Sequence, residues 1–248
     1  MTSRPWSKAL VVGASSGIGE ALARELAAGG ADVALVARRA DRLDVIAGEI
    51  GPGNGLVFPH DVRDVAGIPD LFQRITDDLG GLDLVIYSSG IMPSVELDEF
   101  STEKDIDIID TNFAGAVAWL NQAADRFGRA GRGTIVGISS VAGDRGRAGN
   151  PVYNASKAAL TSYLESLRNR LAGRGVRVVT IKPGRVNTAM LGDNRSPLSL
   201  GVSPGGVAGH ILKAAAGGKR VVYVPGWWRP IMLVVRLLPA QVMERLKA

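Results

Sequence analysis

The stretch Ala9–Ala27, ALVVGASSGIGEALARELA, changes its period partway along. It opens on an apolar, β-branched run; from Gly17 the apolar positions recur at helical spacing, and the helix is expected to run to about Ala28. Between the two halves stand Gly13, Gly17 and Gly19, interleaved with Ser15, Ser16 and Ile18. Glycines allow positive φ and let backbone N–H groups approach a pyrophosphate, while the helix N-terminus adds positive potential. An ordinary strand-to-helix turn is the competing reading. It loses ground because the motif lies between the first strand and the first helix, where a dinucleotide-binding fold requires it.

Further apolar runs follow at Asp32–Arg38, Gly55–Asp61, Leu82–Ser89, Gly133–Ser140, Val176–Gly184 and Arg220–Val224, separated by segments long enough for crossover helices. The earlier runs are nearly continuous rather than alternating, as strands buried on both faces are. The expected fold is α/β: a doubly wound, Rossmann-type parallel sheet of seven strands with helices on both faces. One domain is expected over residues 1–248, with a core at 9–224 and a short, hydrophobic, basic helical tail at 225–248.

Composition narrows the chemistry. The absence of cysteine removes disulfides, thiolate nucleophiles and zinc-thiolate sites, and is compatible with a reducing cytoplasm. Two histidines, His60 and His210, have no ligand-like spacing, so they read as turn or surface residues, and neither a metal site nor a Ser/His/Asp triad is expected. The start, MTSRPWSKALVV, lacks the apolar run of a signal peptide, which points to a cytoplasmic chain. The net charge of +5 is accounted for by the segment from Lys219 onward, where Glu244 is the lone acid. A basic patch confined to an apolar tail fits a membrane or partner edge better than a nucleic-acid groove, and no nucleic acid is expected.

In doubly wound sheets ligands bind beyond the carboxyl ends of the strands. The second strand ends at Ala37, followed by Arg38 and Arg39, where an acid would normally hold the 2′-hydroxyl of NAD. Guanidinium groups suit a 2′-phosphate, so NADP(H) is favoured over NAD(H). Asp41 is expected to cap the next helix, leaving both arginines free. Asp61 and Val62, after the third strand, are placed to contact adenine, with Asp61 equally readable as a turn former. Tyr153 and Lys157, four residues apart in NPVYNASKAAL, share one helix face.

The motifs GASSGIG, HDV, TNFAG, ISSVAG, YNASK and KPGRVNT occur in this order from about Ala9 to Val224. Together they resemble the short-chain dehydrogenase/reductase family. The resemblance implies Tyr153 as general acid/base, Lys157 as its activator, Ser140 as the hydroxyl that orients a carbonyl, and Asn112 as the fourth member. It also implies homodimers or homotetramers packed through the helices bearing Asn112 and Tyr153.

Physical chemistry is compatible with these roles. A free phenol titrates near 10, and the Lys157 ammonium together with a positively charged nicotinamide is expected to draw Tyr153 down. Ser139 and Ser140 point to opposite sides of an extended strand, and Ser140 is chosen. The Asn112 amide is expected to hold a water linking Lys157 to solvent. Pro183 and Gly184 break the sixth strand, so that the Val186 backbone and the Thr188 hydroxyl can hold a carboxamide. Two departures from the family pattern stand out. Val12 replaces a usual threonine, and Tyr87-Ser88-Ser89-Gly90 replaces a usual Asn-Asn-Ala-Gly run; Ser88, Ser89 and Gly90 are still expected to bind the cofactor.

The expected activity is NADP(H)-dependent interconversion of a small-molecule carbonyl and alcohol, on a lipophilic or lipid-linked substrate. An isomerase or dehydratase on the same scaffold, or a non-catalytic nucleotide-sensing or membrane-docking protein, are the alternatives. Substrate choice is expected in a lid at Ala189–Pro204 and in the tail, where Pro230 and Pro239 suit first helical positions and Val242, Met243 and Leu246 share a side. The tail somewhat resembles that of polyprenyl-phosphate keto-sugar reductases. Ile231–Leu238 is too short to span a bilayer, but with Trp227, Trp228 and the arginines it suits peripheral contact at the membrane inner face, and equally a cover over a partner subunit or the substrate cleft.

Overall fold

The computed structural model describes residues 5–51, 53–191 and 202–245. Strands β1 (Lys8–Val12), β2 (Asp32–Ala37), β3 (Gly55–Pro59), β4 (Leu84–Tyr87), β5 (Gly133–Ile138), β6 (Val176–Pro183) and β7 (Val221–Val224) form one seven-stranded parallel sheet in the order β3-β2-β1-β4-β5-β6-β7. Strand order reverses between β1 and β4, which opens a crevice at their carboxyl ends.

The near-continuous apolar runs have a direct cause. Ala9, Val11, Val33 and Leu35 pack on one face, beneath α1 (Gly17–Ala28), α2 (Ala40–Ile50) and α7 (Pro204–Ala216). Their neighbours Leu10, Val12, Ala34 and Val36 pack on the other, beneath α3 (Ile68–Asp78), α5 (Gly115–Ala130) and α6 (Pro151–Arg170). Alternate side chains of β1 and β2 thus enter two separate cores, and both faces of these strands are apolar.

Helix α4 (Thr102–Ile109) leads through a π-helical turn, Asp110–Ala114, directly into α5. Beyond β7 the tail forms α8 (Trp228–Leu237) and α9 (Ala240–Arg245). Two boundary expectations need correction. Helix α8 opens at Trp228, so Pro230 is its third residue, where the missing N–H still costs no helical bond. Pro239 precedes α9 and its carbonyl accepts the Val242 and Met243 N–H groups. The earlier start also places Arg229, besides Arg236, on α8. Most of the expected lid, residues 192–201, and Leu246 lie outside the described residues. Among the described residues no helix is long and apolar enough to cross a membrane.

Candidate active site

The first turn is shaped by close approach. Gly13 has φ +91°, and a Cβ there would stand 2.5 Å from the Ser89 nitrogen; one on Gly19 would stand 2.0 Å from the Gly13 oxygen. Side chains are therefore excluded where β1, α1 and the turn after β4 meet, leaving backbone to face the crevice. Ser16 occupies the N-cap position of α1 without a side-chain cap. Its hydroxyl and that of Ser15 each accept a 2.9 Å bond from Arg39 Nη2.

That contact corrects the expectation of two free arginines. Both arginines are exposed and line the cleft, but Arg39 is also tied to the glycine turn. Asp41 does not cap α2 either. Arg39 holds the cap position, without a side-chain bond, and Asp41 lies in the first turn. Its carboxylate there still favours the helix N-terminus electrostatically.

Both readings of Asp61 have a basis in the geometry. Its Oδ1 accepts the Arg63 backbone N–H at 3.0 Å, closing a turn, and Oδ2 pairs with the Arg63 guanidinium at 2.7 Å. Arg63 holds the Asp61 carboxyl below its usual range. Asp61 and Val62 line the same cleft as Gly13, Ser15, Ser16, Gly17, Ile18 and Arg38, and so do Ser88, Ser89, Gly90, Pro183, Gly184, Val186 and Thr188. Gly19 is buried behind the turn. His210 is exposed on α7, as expected, but His60 is partly buried with its ring edge-on to Trp119 at 5.8 Å.

At the far end of this cleft, of ≈ 860 Å³, stand Ser140, Tyr153 and Lys157. Pro151 starts α6, and Asn150 before it takes φ +52°, a left-handed turn that asparagine tolerates. Tyr153 and Lys157 then follow one turn apart, with Lys157 Nζ 5.8 Å from the phenol ring centre. Lys157 is buried, donates to the Ile138 carbonyl at 3.1 Å, and has its amine pushed down to about 8 by burial. Ser139 and Ser140 divide as their alternation requires. The Ser139 hydroxyl bonds the Lys157 carbonyl at 2.8 Å, whereas Ser140 Oγ accepts the Ala142 N–H at 3.1 Å and lines the cleft with Tyr153.

Burial pushes the Tyr153 phenol up, opposed by the Ser140 hydroxyl and by Arg147, and Lys157 alone does not offset it. Its amine is engaged by Ile138, and desolvation dominates for a phenol this deeply buried. The Asn112 amide is largely engaged: Oδ1 accepts the Ile91 N–H at 2.7 Å, and Nδ2 donates to the Ile91 carbonyl at 3.0 Å and to Ser156 Oγ at 3.2 Å, which leaves one lone pair of Oδ1 for a water. Asn112 also clamps the loop after β4 to α6. The π-helical turn that presents it is anchored by the Tyr87 hydroxyl, which donates to the Thr111 carbonyl at 2.6 Å.

The residues fit a dinucleotide. A side-chain-free turn and helix N-terminus lie at one end, arginine at the β2 tip, and the buried amine near Gly90, where an added Cβ would be 3.3 Å from both Lys157 Nζ and Asn112 Oδ1. That empty Cβ position keeps the backbone of Gly90 open to the cleft beside the amine.

Of the covers expected for the tail, the substrate cleft is the one it makes in this chain. Trp228, Ile231, Met232, Val235 and Leu238, at i, i+3, i+4, i+7 and i+10, form one face of α8 and its end, and with Met243 they wall the cleft that holds Tyr153. Arg145, just after β5, donates to the Arg236 and Leu238 carbonyls at 3.4 and 3.1 Å, fixing the C-terminal end of α8. Its neighbour Asp144 pairs with Lys182, both side chains almost wholly buried, and accepts the Tyr223 hydroxyl at 2.7 Å.

Comparison with known proteins agrees with this geometry. Residues 7–198 match the family model described as short chain dehydrogenase. The chain belongs to that family. An uncharacterized oxidoreductase of Mycobacterium tuberculosis is 34% identical over 244 residues, 96% of each chain. Another, from Myxococcus xanthus, is 38% identical over 200 residues, covering 80% of this chain and 79% of the relative. Among solved structures, an actinorhodin polyketide ketoreductase variant with NADPH superimposes with a TM-score of 0.79 at 26% identity, over 91% of this chain and 98% of the other. Family and relatives together make this short-chain dehydrogenase an oxidoreductase.

Proposed function

We propose that this short-chain dehydrogenase is an NADP(H)-dependent carbonyl reductase or alcohol dehydrogenase for lipophilic substrates. The observation that carries the reading is the joining of Ser140, Tyr153 and Lys157 to the glycine turn in a single cleft. The nicotinamide dinucleotide, when bound, supplies or accepts the hydride. The chain does the rest. Ser140, whose oxygen already accepts the Ala142 N–H, offers its proton to a substrate oxygen and orients it. Tyr153 gives that oxygen its proton in reduction and removes it in oxidation. Lys157, one turn along the same helix, would add its positive charge to that of an oxidised nicotinamide, and the two together would lower the cost of phenolate against the penalty of burial.

The exposed Arg38 at the β2 tip supports the preference for the 2′-phosphate, and the apolar α8 wall supports a lipophilic substrate. The NADPH-bound ketoreductase neighbour is in keeping with both the cofactor and the reaction. A cytoplasmic location follows from the reaction's need for the cellular pool of reduced cofactor.

The test is NADPH oxidation against ketones of increasing alkyl length, including steroid-like and lipid-linked keto-sugar substrates. Stoichiometric oxidation with kcat/KM rising with apolar size is expected. Turnover without net cofactor consumption would transfer the site to an isomerase or dehydratase.

A further inference from the structure

Helix α8 is used on both sides. Its inner face lines the cleft, but its outer side carries Leu233, Val234 and Leu237 at 59%, 61% and 76% exposure, with Trp227 at 46% just before it. Viewed down the axis, Leu233, Leu237, Val234 and Trp227 form a continuous apolar stripe opposite Met232, which is buried. Arg229 and Arg236, at i and i+7, make a second stripe along one flank of it, and both are exposed. Lys219 and Arg220 precede β7, and Arg245 ends α9. Glu244 is the one acid from Lys219 onward, and none stands on α8.

We propose that the outer face of α8 docks on an anionic lipid surface, with Trp227, Leu233, Val234 and Leu237 inserted at headgroup level and Arg229, Arg236 and Arg245 against the phosphates. The helix is far too short to span the bilayer and lies in its plane. Charge selects this occupant over a second copy of the chain. An antiparallel two-fold contact through α8 would bring the arginine stripe of each copy toward that of the other, and in any such contact Glu244 is the one acid from Lys219 onward to offset the arginines. Phospholipid headgroups of negative charge complement the same stripe, and tryptophan is favoured at that depth. Because the opposite face of the same helix walls the cleft, docking would put the substrate side of the site next to the bilayer.

The experiment is sedimentation of the full chain with vesicles of pure phosphatidylcholine, or of phosphatidylcholine containing one-third phosphatidylglycerol, at low and high salt. Binding to the anionic vesicles at least about tenfold stronger than to the neutral ones, and weakened by salt, is expected. Leu233→Asp with Leu237→Asp, and separately Arg229→Glu with Arg236→Glu, should each lower that binding by about tenfold or more. None of these four side chains belongs to the catalytic set, and an unchanged circular dichroism spectrum shows that each variant is folded. Equal partitioning of folded wild type and variants would overturn the proposal. So would concentration-dependent self-association that the leucine variant abolishes, since a second copy would then cover the face.

Discussion

The indole of Trp228 lies flat against the backbone of Gly184: a Cβ at position 184 would stand 1.8 Å from Trp228 Nε1. The glycine that ends β6 therefore serves two neighbours, the cleft in front and the tail helix above. Gly184→Ala should push α8 outward. The expected result is a KM for lipophilic ketones raised about tenfold, with kcat changed much less and stability lowered by about 1–3 kcal/mol. Trp228→Ala should raise KM similarly through lost contact area. Steady-state kinetics and thermal unfolding measure both, and an unaltered KM in Trp228→Ala would mean that α8 does not touch substrate.

Tyr153→Phe keeps the ring and removes the proton carrier. Turnover should fall by at least about 10²-fold while NADPH affinity, by fluorescence titration, stays within about twofold. Turnover near the wild-type rate would remove Tyr153 from the mechanism.

Arg38 and Arg39 should separate in a cofactor test because only Arg39 also holds Ser15 and Ser16. Arg38→Ala should weaken NADPH by about tenfold and leave NADH nearly unchanged. Arg39→Ala should weaken both cofactors, since it loosens the turn under the pyrophosphate. Equal losses for the two cofactors in Arg38→Ala would argue against contact with a 2′-phosphate.

Burial that brings Lys157 down to about 8 has a consequence for stability. The unfolded chain holds this proton up to its ordinary value of about 10.5, so between about pH 8 and 10.5 it binds more protons than the folded chain and stability rises with pH. Below about pH 8 the buried charge costs its full penalty. Lys157→Met should thus gain on wild type near pH 7 by more than it does near pH 10. Urea unfolding at both pH values reads this difference, and the lost bond to Ile138 cancels because it is missing at each. A gap that stays constant with pH would show that the amine is not desolvated.

The Asp144–Lys182 pair joins the loop after β5 to the end of β6 out of contact with water. Asp144→Leu should destabilise by about 3–5 kcal/mol because the lysine charge is left buried, and Lys182→Met in the same chain should restore much of that loss. Chemical denaturation of the two single variants and the double variant tests the coupling.

What could be read ahead of the structure was local. The strand–turn–helix at Val12–Gly17 and the one-turn spacing of Tyr153 and Lys157 are encoded within a few residues, where period and stereochemistry are enough. Arg39 escaped because its partners, Ser15 and Ser16, belong to another crossover, and nothing near Arg39 announces them. Asn112 was singled out, but its engagement with Ile91 and Ser156 depends on the packing of the β4 loop against α6. The upward push of burial on Tyr153 went unread for a related reason. Spacing tells that an amine is near, whereas burial, which dominates, is a property of the assembled cleft.

The match to the family model ends at residue 198, and the apolar wall opens thirty residues later, at Trp228, past every strand and crossover of the sheet. The proposed chemistry and the proposed molecular taste thus sit on separate parts of the chain. Descendants could trade α8 for a different segment and acquire new appetites while leaving the reaction itself untouched.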